Sequence, residues 1–437
     1  MKTILKKILL HLRYVLKKIS LEEKNYLEYF FFKKGKLNKL RKKYPNCHLF
    51  ELENFKRLLD SHSKKIFNSL EDYHKKKTNW VDKKKNFDLI PNNVFLGSIG
   101  NYSSLYTLLL ANKAKLRKEK KIRCFIPKNS KINNTALASY FKNYVQVLKK
   151  KESIWSLKKQ IPLGVILELE NKSVRINEAR NFINQKLNRK KPLFKISKKH
   201  ETIGNSFFKQ IGFRSTDWFV TLHLRQFGWR GEKINNSKEF HRTPKPENYI
   251  SAIKEISSLG GKVFLVGNNN FNFPRIKNFY NYSDSPFKSY ALDVYLAAKA
   301  KFCIANSSGF YTIAQYFGTP VLLTDGPSHT DYLNLTEEDM YLPRIIFNKK
   351  SNRKKLELKI FEYPLNSLYS DTHFKKLNLG YKENTPNDIL QATVEMIKKP
   401  KKSYLQKKFK KELLKVFKKY NYVPYANLPN AFLKKNY

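Results

Sequence analysis

The sequence predicts an α/β chain of two Rossmann-like units with basic helical segments at both ends, and three observations carry that reading. A length of 437 residues exceeds one ordinary core and suits two domains of about 150 residues each plus extensions. Between about residues 93 and 324, short apolar runs alternate with helical patterns, as in a parallel sheet covered by its own crossover helices. Outside that alternation the sequence turns basic and helical at either end.

Residues 1–88 read as a basic helical extension that closes on the runs Lys75-Lys76-Lys77 and Lys83-Lys84-Lys85. Its first turns place Ile4, Leu5, Ile8, Leu9, Leu12, Val15, Leu16 and Ile19 on one face, with Lys2, Lys6, Lys7, Arg13, Lys17 and Lys18 between them. Such a helix either packs on its own domain or lies in the plane of an anionic membrane, and the pattern does not separate the two. Residues 89–190 read as the first Rossmann-like unit, with an expected strand at Asn93–Leu96, a turn carrying Gly97 and Gly100, and a helical run from Leu105 to Leu110. Strands are expected at Ile122–Ile126, Val145–Leu148 and Val165–Leu169, and a helix at Asn177–Leu187.

Residues 191–345 form the second unit, where the alternation is clearest. A strand at Trp218–Leu224 opens a long polar loop to Pro246, and the helix Tyr249–Leu259 stops at Gly260-Gly261 before the strand Lys262–Gly267. The helix Tyr290–Lys299 leads to the strand Phe302–Ala305, the turn Asn306-Ser307-Ser308-Gly309, the helix Phe310–Phe317 and the strand Val321–Thr324. Residues 346–437 are expected to be a basic helical region.

The 87 Lys+Arg against 35 Asp+Glu give a formal charge of +52, which points to acidic partners: a phosphate-bearing substrate, an anionic membrane or nucleic acid. Composition does not choose among these. Cys47, Cys124 and Cys303 are far apart, so neither a disulfide framework nor a zinc site is expected. No run approaches the roughly 18 apolar residues of a spanning helix, and no signal-peptide pattern is present, so the expectation is a cytoplasmic protein, peripheral on the inner membrane if the amphipathic helix lies in its plane.

Candidate chemistry gathers where open parallel sheets hold ligands, beyond the carboxyl ends of the strands. Asn306, Ser307, Ser308 and Gly309 stand between a strand and a helix, offering amides and hydroxyls to an anion or simply capping the helix. His223 and Arg225 end the Trp218–Leu224 strand, and the loop after them adds Trp229, Arg230, His241 and Arg242. Arg225 reads as a diphosphate clamp; His223 is either a catalytic group or a buried structural histidine. Asp293 and Asp325 are candidates for sugar hydroxyls, and Gly267 ends the strand beside them. Gly97 and Gly100 either allow close approach of an acceptor or serve only the turn.

The ordered set His223-x-Arg225, Tyr249-x-x-Ala252-Ile253, Val266-Gly267, Leu292-Asp293-x-Tyr295-Leu296, Ala305 to Gly309 and Gly318-Thr319-Pro320-Val321 resembles a family of bacterial glycosyltransferase-like proteins associated with surface-polysaccharide loci. It is more distantly similar to fucosyltransferases with an HxR motif, although Gln226-Phe227-Gly228 stands where those have an acidic residue. The resemblance implies a GT-B enzyme without a bound metal or other cofactor, a nucleotide-sugar substrate held by the second unit, and a glycan or lipid-linked acceptor held by the first. The chain agrees in having no DxD triplet. A nucleotide-sugar epimerase or hydrolase on the same fold is the second reading. A nucleic-acid-binding protein is the third, supported by charge but by no recognition motif.

Overall fold

The computed structural model describes residues 87–90, 93–150, 166–169, 172–187, 192–226, 240–268, 271–327, 329–350, 356, 358, 361, 374–375, 378–400, 402–418 and 421–437. The amphipathic helix expected in the first 20 residues, Trp229 and Arg230 lie outside them.

The first unit opens with β1 (Phe87–Ile90), a short α1 (Asn93–Leu96) and, after a 3-10 turn at Ile99–Asn101, α2 (Tyr102–Lys113). The strand expected at Asn93–Leu96 is therefore a helix, and the strand lies upstream, across the expected boundary at residue 88. Asp88 hides it: the carboxylate interrupts the apolar run, yet it is buried because Arg117 grips it with two hydrogen bonds of 2.9 and 3.0 Å. β1 pairs in parallel with β2 (Lys121–Pro127), and past the short α3 (Thr135–Ser139) β2 pairs in parallel with β3 (Val145–Lys150). β4 (Ile166–Leu169) and β5 (Lys172–Arg175) form an antiparallel pair that feeds α4 (Ile176–Lys186).

The second unit begins with α5 (Lys198–Gln210), whose first turn is capped by Ser197. Then follow β6 (Phe219–His223), α6 (Ile250–Ser258), β7 (Lys262–Val266), β8 (Phe279–Asn281), α7 (Tyr290–Lys299), β9 (Cys303–Ala305), α8 (Phe310–Tyr316), β10 (Val321–Gly326), α9 (His329–Leu333) and β11 (Met340–Pro343). All six strands run parallel in the spatial order β11-β10-β9-β6-β7-β8. Val220, Leu222, Phe264, Leu265 and Leu322 are fully buried, as strands covered on both faces require. Taken in sequence, β6 and the two strands after it lie on one side, and β9 and the two after it on the other. The order reverses between β6 and β9, and the crevice above that junction is where such sheets bind ligands.

The segment after residue 345, expected to be a basic helical region, contains an antiparallel pair, β12 (Ile345–Asn348) with β13 (Leu379–Lys382). The helices α10 (Pro386–Lys398), α11 (Tyr404–Lys418) and α12 (Asn430–Asn436) follow. The chain then returns to the first unit, where Asn181 on α4 donates to the Val423 carbonyl at 2.8 Å and accepts from the Val423 amide at 2.9 Å.

The two units meet along α2, α4 and α8. Arg180, fully buried, donates to Thr107 Oγ1 at 3.0 Å, Ser103 Oγ at 3.1 Å and Gln315 Oε1 at 2.6 Å. Tyr106 lies 4.3 Å from Tyr316 between ring centroids. A few residues along, the backbones of Gly100 and Gly309 touch: a Cβ on Gly309 would fall 2.4 Å from the Gly100 nitrogen. Among the described residues no helix is long and apolar enough to cross a membrane.

Candidate functional site

β6 ends in His223 and β9 ends just before Asn306, so the two strand ends at the order reversal bring these residues together. The His223 ring is stacked on Phe310, 5.0 Å between centroids and 4° from parallel, and its Nδ1 lies 3.0 Å from Ser308 Oγ. Its other edge faces Gly267, which has φ +99°; a Cβ there would sit 2.7 Å from His223 Cδ2 and 2.8 Å from Nε2. Gly267 thus serves both a left-handed turn and the close approach of the imidazole. Burial, assisted by the nearby Arg225 charge, lowers the His223 pKa to about 4. The imidazole is neutral near pH 7.

Asn306 is fully buried and ties the loop after β6 to the turn after β9. Its Oδ1 accepts from the Arg225 amide at 2.8 Å, and its Nδ2 donates to the Arg242 carbonyl at 2.7 Å. A side chain with both donor and acceptor is needed for this, so an aspartate would lose the second bond. Arg242, 6% exposed, donates to the Ser307 carbonyl at 2.8 Å. Arg225, Arg242, Ser307, Ser308 and His223 are therefore gathered at one strand-end junction by direct hydrogen bonds among themselves and Asn306.

Asp331 on α9 escaped the sequence reading. It is buried beside this group, accepts from Tyr311 Oη at 3.3 Å, and faces the Ser307 hydroxyl and the Arg242 charge. Burial raises its pKa, while Arg242 and the two hydroxyls pull it down. The one sequence signal was its place on the helix after β10, beyond a carboxyl strand end.

The remaining candidates take different places. Asp293 on α7 is 7% exposed, and its Oδ1 has no partner among the described residues. Burial raises its pKa to about 6, against the nearby Lys288 charge and a hydrogen bond from Tyr282. Lys288 in turn donates to the Gly267 carbonyl at 2.7 Å, which links this carboxyl to the His223 edge of the site. Asp325, with φ +50°, is spent inside the protein: Arg344 Nε at 3.2 Å, the Asn384 amide at 3.1 Å and Tyr249 Oη at 3.0 Å all donate to it. Its carboxylate serves this buried network. His241 is fully buried against the Phe374 ring.

Gly100 has its open side filled by Gly309, so its missing side chain serves the joint between the units. The Gly97 carbonyl accepts from Asn133 Nδ2 at 2.6 Å. Cys124 and Cys303 are wholly buried, their thiols pushed up to about 12 by burial, as small core hydrophobes are. Among the described residues no three His, Cys, Asp or Glu side chains cluster in a way that could hold a metal ion.

No protein-family model matches the chain, and neither does any curated protein. Solved structures similar to it include a glycosyl transferase family 9 protein from Veillonella parvula DSM 2008, at 13% identity over 59% of this chain and 86% of that one, with a TM-score of 0.38. The E. coli ADP-heptose lipopolysaccharide heptosyltransferase II is similar at 14% identity over 60% of this chain and 90% of that one, with a TM-score of 0.34. The iron-containing dodecameric glycosyltransferase TibC from enterotoxigenic E. coli H10407 is similar at 13% identity over 54% and 57%, with a TM-score of 0.28.

Proposed function

We propose that the chain is a glycosyltransferase of the GT-B kind, which moves a sugar from a nucleotide-sugar donor to a glycan or lipid-linked acceptor. The observation that carries this reading is the convergence of Arg225, Arg242 and the Ser307–Gly309 turn on the order reversal of a six-stranded parallel sheet. Two guanidinium groups and a hydroxyl-bearing turn suit a diphosphate. In this reading charge grows on the departing nucleoside diphosphate as the glycosidic bond breaks, and Arg225 and Arg242 neutralise it without a metal ion. Preorganised charges of this kind act where the transition state differs from the ground state.

His223 acts in the same reading as a neutral imidazole held against Ser308, orienting the donor through hydrogen bonding. With a pKa of about 4 it is too weak a base to deprotonate an acceptor hydroxyl efficiently near neutral pH. The first unit would hold the acceptor. Asp293 and the Gly267 carbonyl would meet sugar or ribose hydroxyls. A basic surface facing an anionic bilayer at the cytoplasmic side would bring the enzyme to a lipid-linked acceptor.

The test is transfer or hydrolysis by the purified chain across UDP, GDP, ADP and CDP sugars, with the product identified by mass spectrometry. Transfer or slow hydrolysis of one class is expected. Conversion of the sugar without release from its nucleotide would replace the reading with an epimerase, and inactivity with every class would overturn it.

A further inference from the structure

Asp331 presents a problem of charge. It lies nine-tenths buried beneath the turn that the proposed function assigns to an anionic ligand. The groups that face it are Arg242 from the turn after the β6 loop, Ser307 from the β9–α8 connection, Tyr311 from α8, and Tyr341 from β11, whose phenol is pushed up by burial and by the Asp331 charge. Tyr311 Oη holds Oδ1 at 3.3 Å, while Oδ2 has no hydrogen-bond partner among the described residues. Arg242 is the positive charge closest in effect to this carboxyl, and it is also the guanidinium fixed to the Ser307 carbonyl at 2.8 Å. An ionised Asp331 and a bound diphosphate would therefore compete for one cation in a poorly solvated place.

We propose that Asp331 is the proton-linked counterion of this site: when a nucleoside diphosphate settles against Arg242, the Asp331 carboxyl takes up one proton from solvent, and Arg242 turns its charge to the ligand. The inference rests on the donor-site reading above. In the empty protein the carboxylate offsets part of the Arg242 charge. In the loaded protein the ligand supplies the negative charge, and the neutral carboxylic acid keeps its bond to Tyr311. A negative ligand added beside an acid favours the protonated acid, so proton uptake and binding are linked and affinity falls as pH rises.

Isothermal titration of the native protein with UDP, ADP, GDP and CDP, each in HEPES and in Tris from pH 6.5 to 8.5, reads the proton directly from the difference in heat between buffers. For the diphosphate that binds, uptake is expected to rise toward one proton per nucleotide, with Kd weakening by up to about tenfold per pH unit. Asp331→Asn should remove the uptake and flatten the pH profile. That variant also subtracts the ligand's own phosphate titration, whose pKa is about 6. Tyr311→Phe removes a donor to the ionised form and should move the profile along the pH axis even if Asp331→Asn does not fold. Binding with equal heats in the two buffers, or uptake that persists in Asp331→Asn, overturns this inference while leaving the donor site standing. Failure of all four diphosphates to bind overturns both.

Discussion

Replacing Gly309 by Ala tests whether the site depends on the joint between the two units. A Cβ at that position would lie 2.4 Å from the Gly100 nitrogen and 2.8 Å from its Cα. Ordinary contact begins near 3.4 Å, so the two backbones must part by about 0.6 to 1.0 Å. Neither side yields cheaply, because α8 starts on one side and the Ile99–Asn101 turn lies on the other. Overpacking of rigid groups typically costs about 1–3 kcal/mol, and backbone against backbone belongs at the upper end. The same displacement acts on Ser308, whose hydroxyl is 3.0 Å from His223; a misplacement of about 1 Å near reacting groups can cost on the order of 100-fold in rate. Urea unfolding should show the loss of stability, and donor turnover the loss of rate. Gly260→Ala is the control: it has φ +79° with nothing within 4 Å, so it strains the backbone without reaching the site and should lose stability but keep its rate. A Gly309→Ala protein with native stability and native turnover would refute the account of the joint.

Arg225→Ala should lower turnover by about 2–4 kcal/mol of activation free energy, while a surface Lys128→Ala leaves it unchanged, because only the former faces charge that grows in the transition state. Wild-type turnover in a folded Arg225→Ala protein would remove that residue from the site. EDTA should leave activity largely intact, and a strict requirement for added Mg²⁺ or Mn²⁺ would contradict charge neutralisation by arginine. Asp293 has a folded pKa of about 6 against an ordinary 3.8, so its ionisation opposes folding: the penalty is absent below pH 3.8, grows as pH rises to 6 and is complete above it. The shift corresponds to roughly 3 kcal/mol. Asp293→Asn should therefore be stabilised at pH 8 and little changed at pH 3.5, and an equal effect at both would show that ionisation is not the cause.

The second unit was legible in the sequence because its strands are pure apolar runs bounded by glycine or polar turns, as at Lys262–Val266 and Val321–Gly326. Asn306, Ser307 and His223 could be named from their place at strand ends, since the order of a doubly wound sheet puts those ends together. What stayed hidden depends on partners far along the chain. β1 was missed because Asp88 looks exposed until Arg117, 29 residues away, is seen to bind it. Asp325 looked available until Tyr249, Arg344 and Asn384 were seen to use it. Asp331 had no motif because its place beside the Tyr311 hydroxyl and within reach of the Arg242 charge is a tertiary fact. Gly100 looked like a turn glycine or a ligand glycine, and which backbone filled its open side was a tertiary fact.

The large positive charge and the proposed site should be separable by salt. Arg242 is 6% exposed and Arg225 is half-buried, so the groups that would meet a diphosphate are screened less by ions than surface lysines are. The seven-residue α8 contributes only the modest field of a helix end, on the order of 0.3–1 kcal/mol, so binding must come chiefly from the two arginines. The exposed lysines of α11, such as Lys407, Lys408, Lys411 and Lys415, stand in solvent, where the Debye length falls from roughly 10 Å at 0.1 M salt to about 3 Å at 1 M. Raising NaCl from 0.1 to 0.5 M should therefore change the nucleotide Kd by less than about threefold, while binding to anionic vesicles or RNA through many lysines falls by orders of magnitude. Parallel titrations with the diphosphate that binds, with phosphatidylserine vesicles and with single-stranded RNA measure all three. If nucleotide binding collapsed along with the other two, it would belong to the diffuse basic surface, and the junction at the ends of β6 and β9 would lose its claim to be the site.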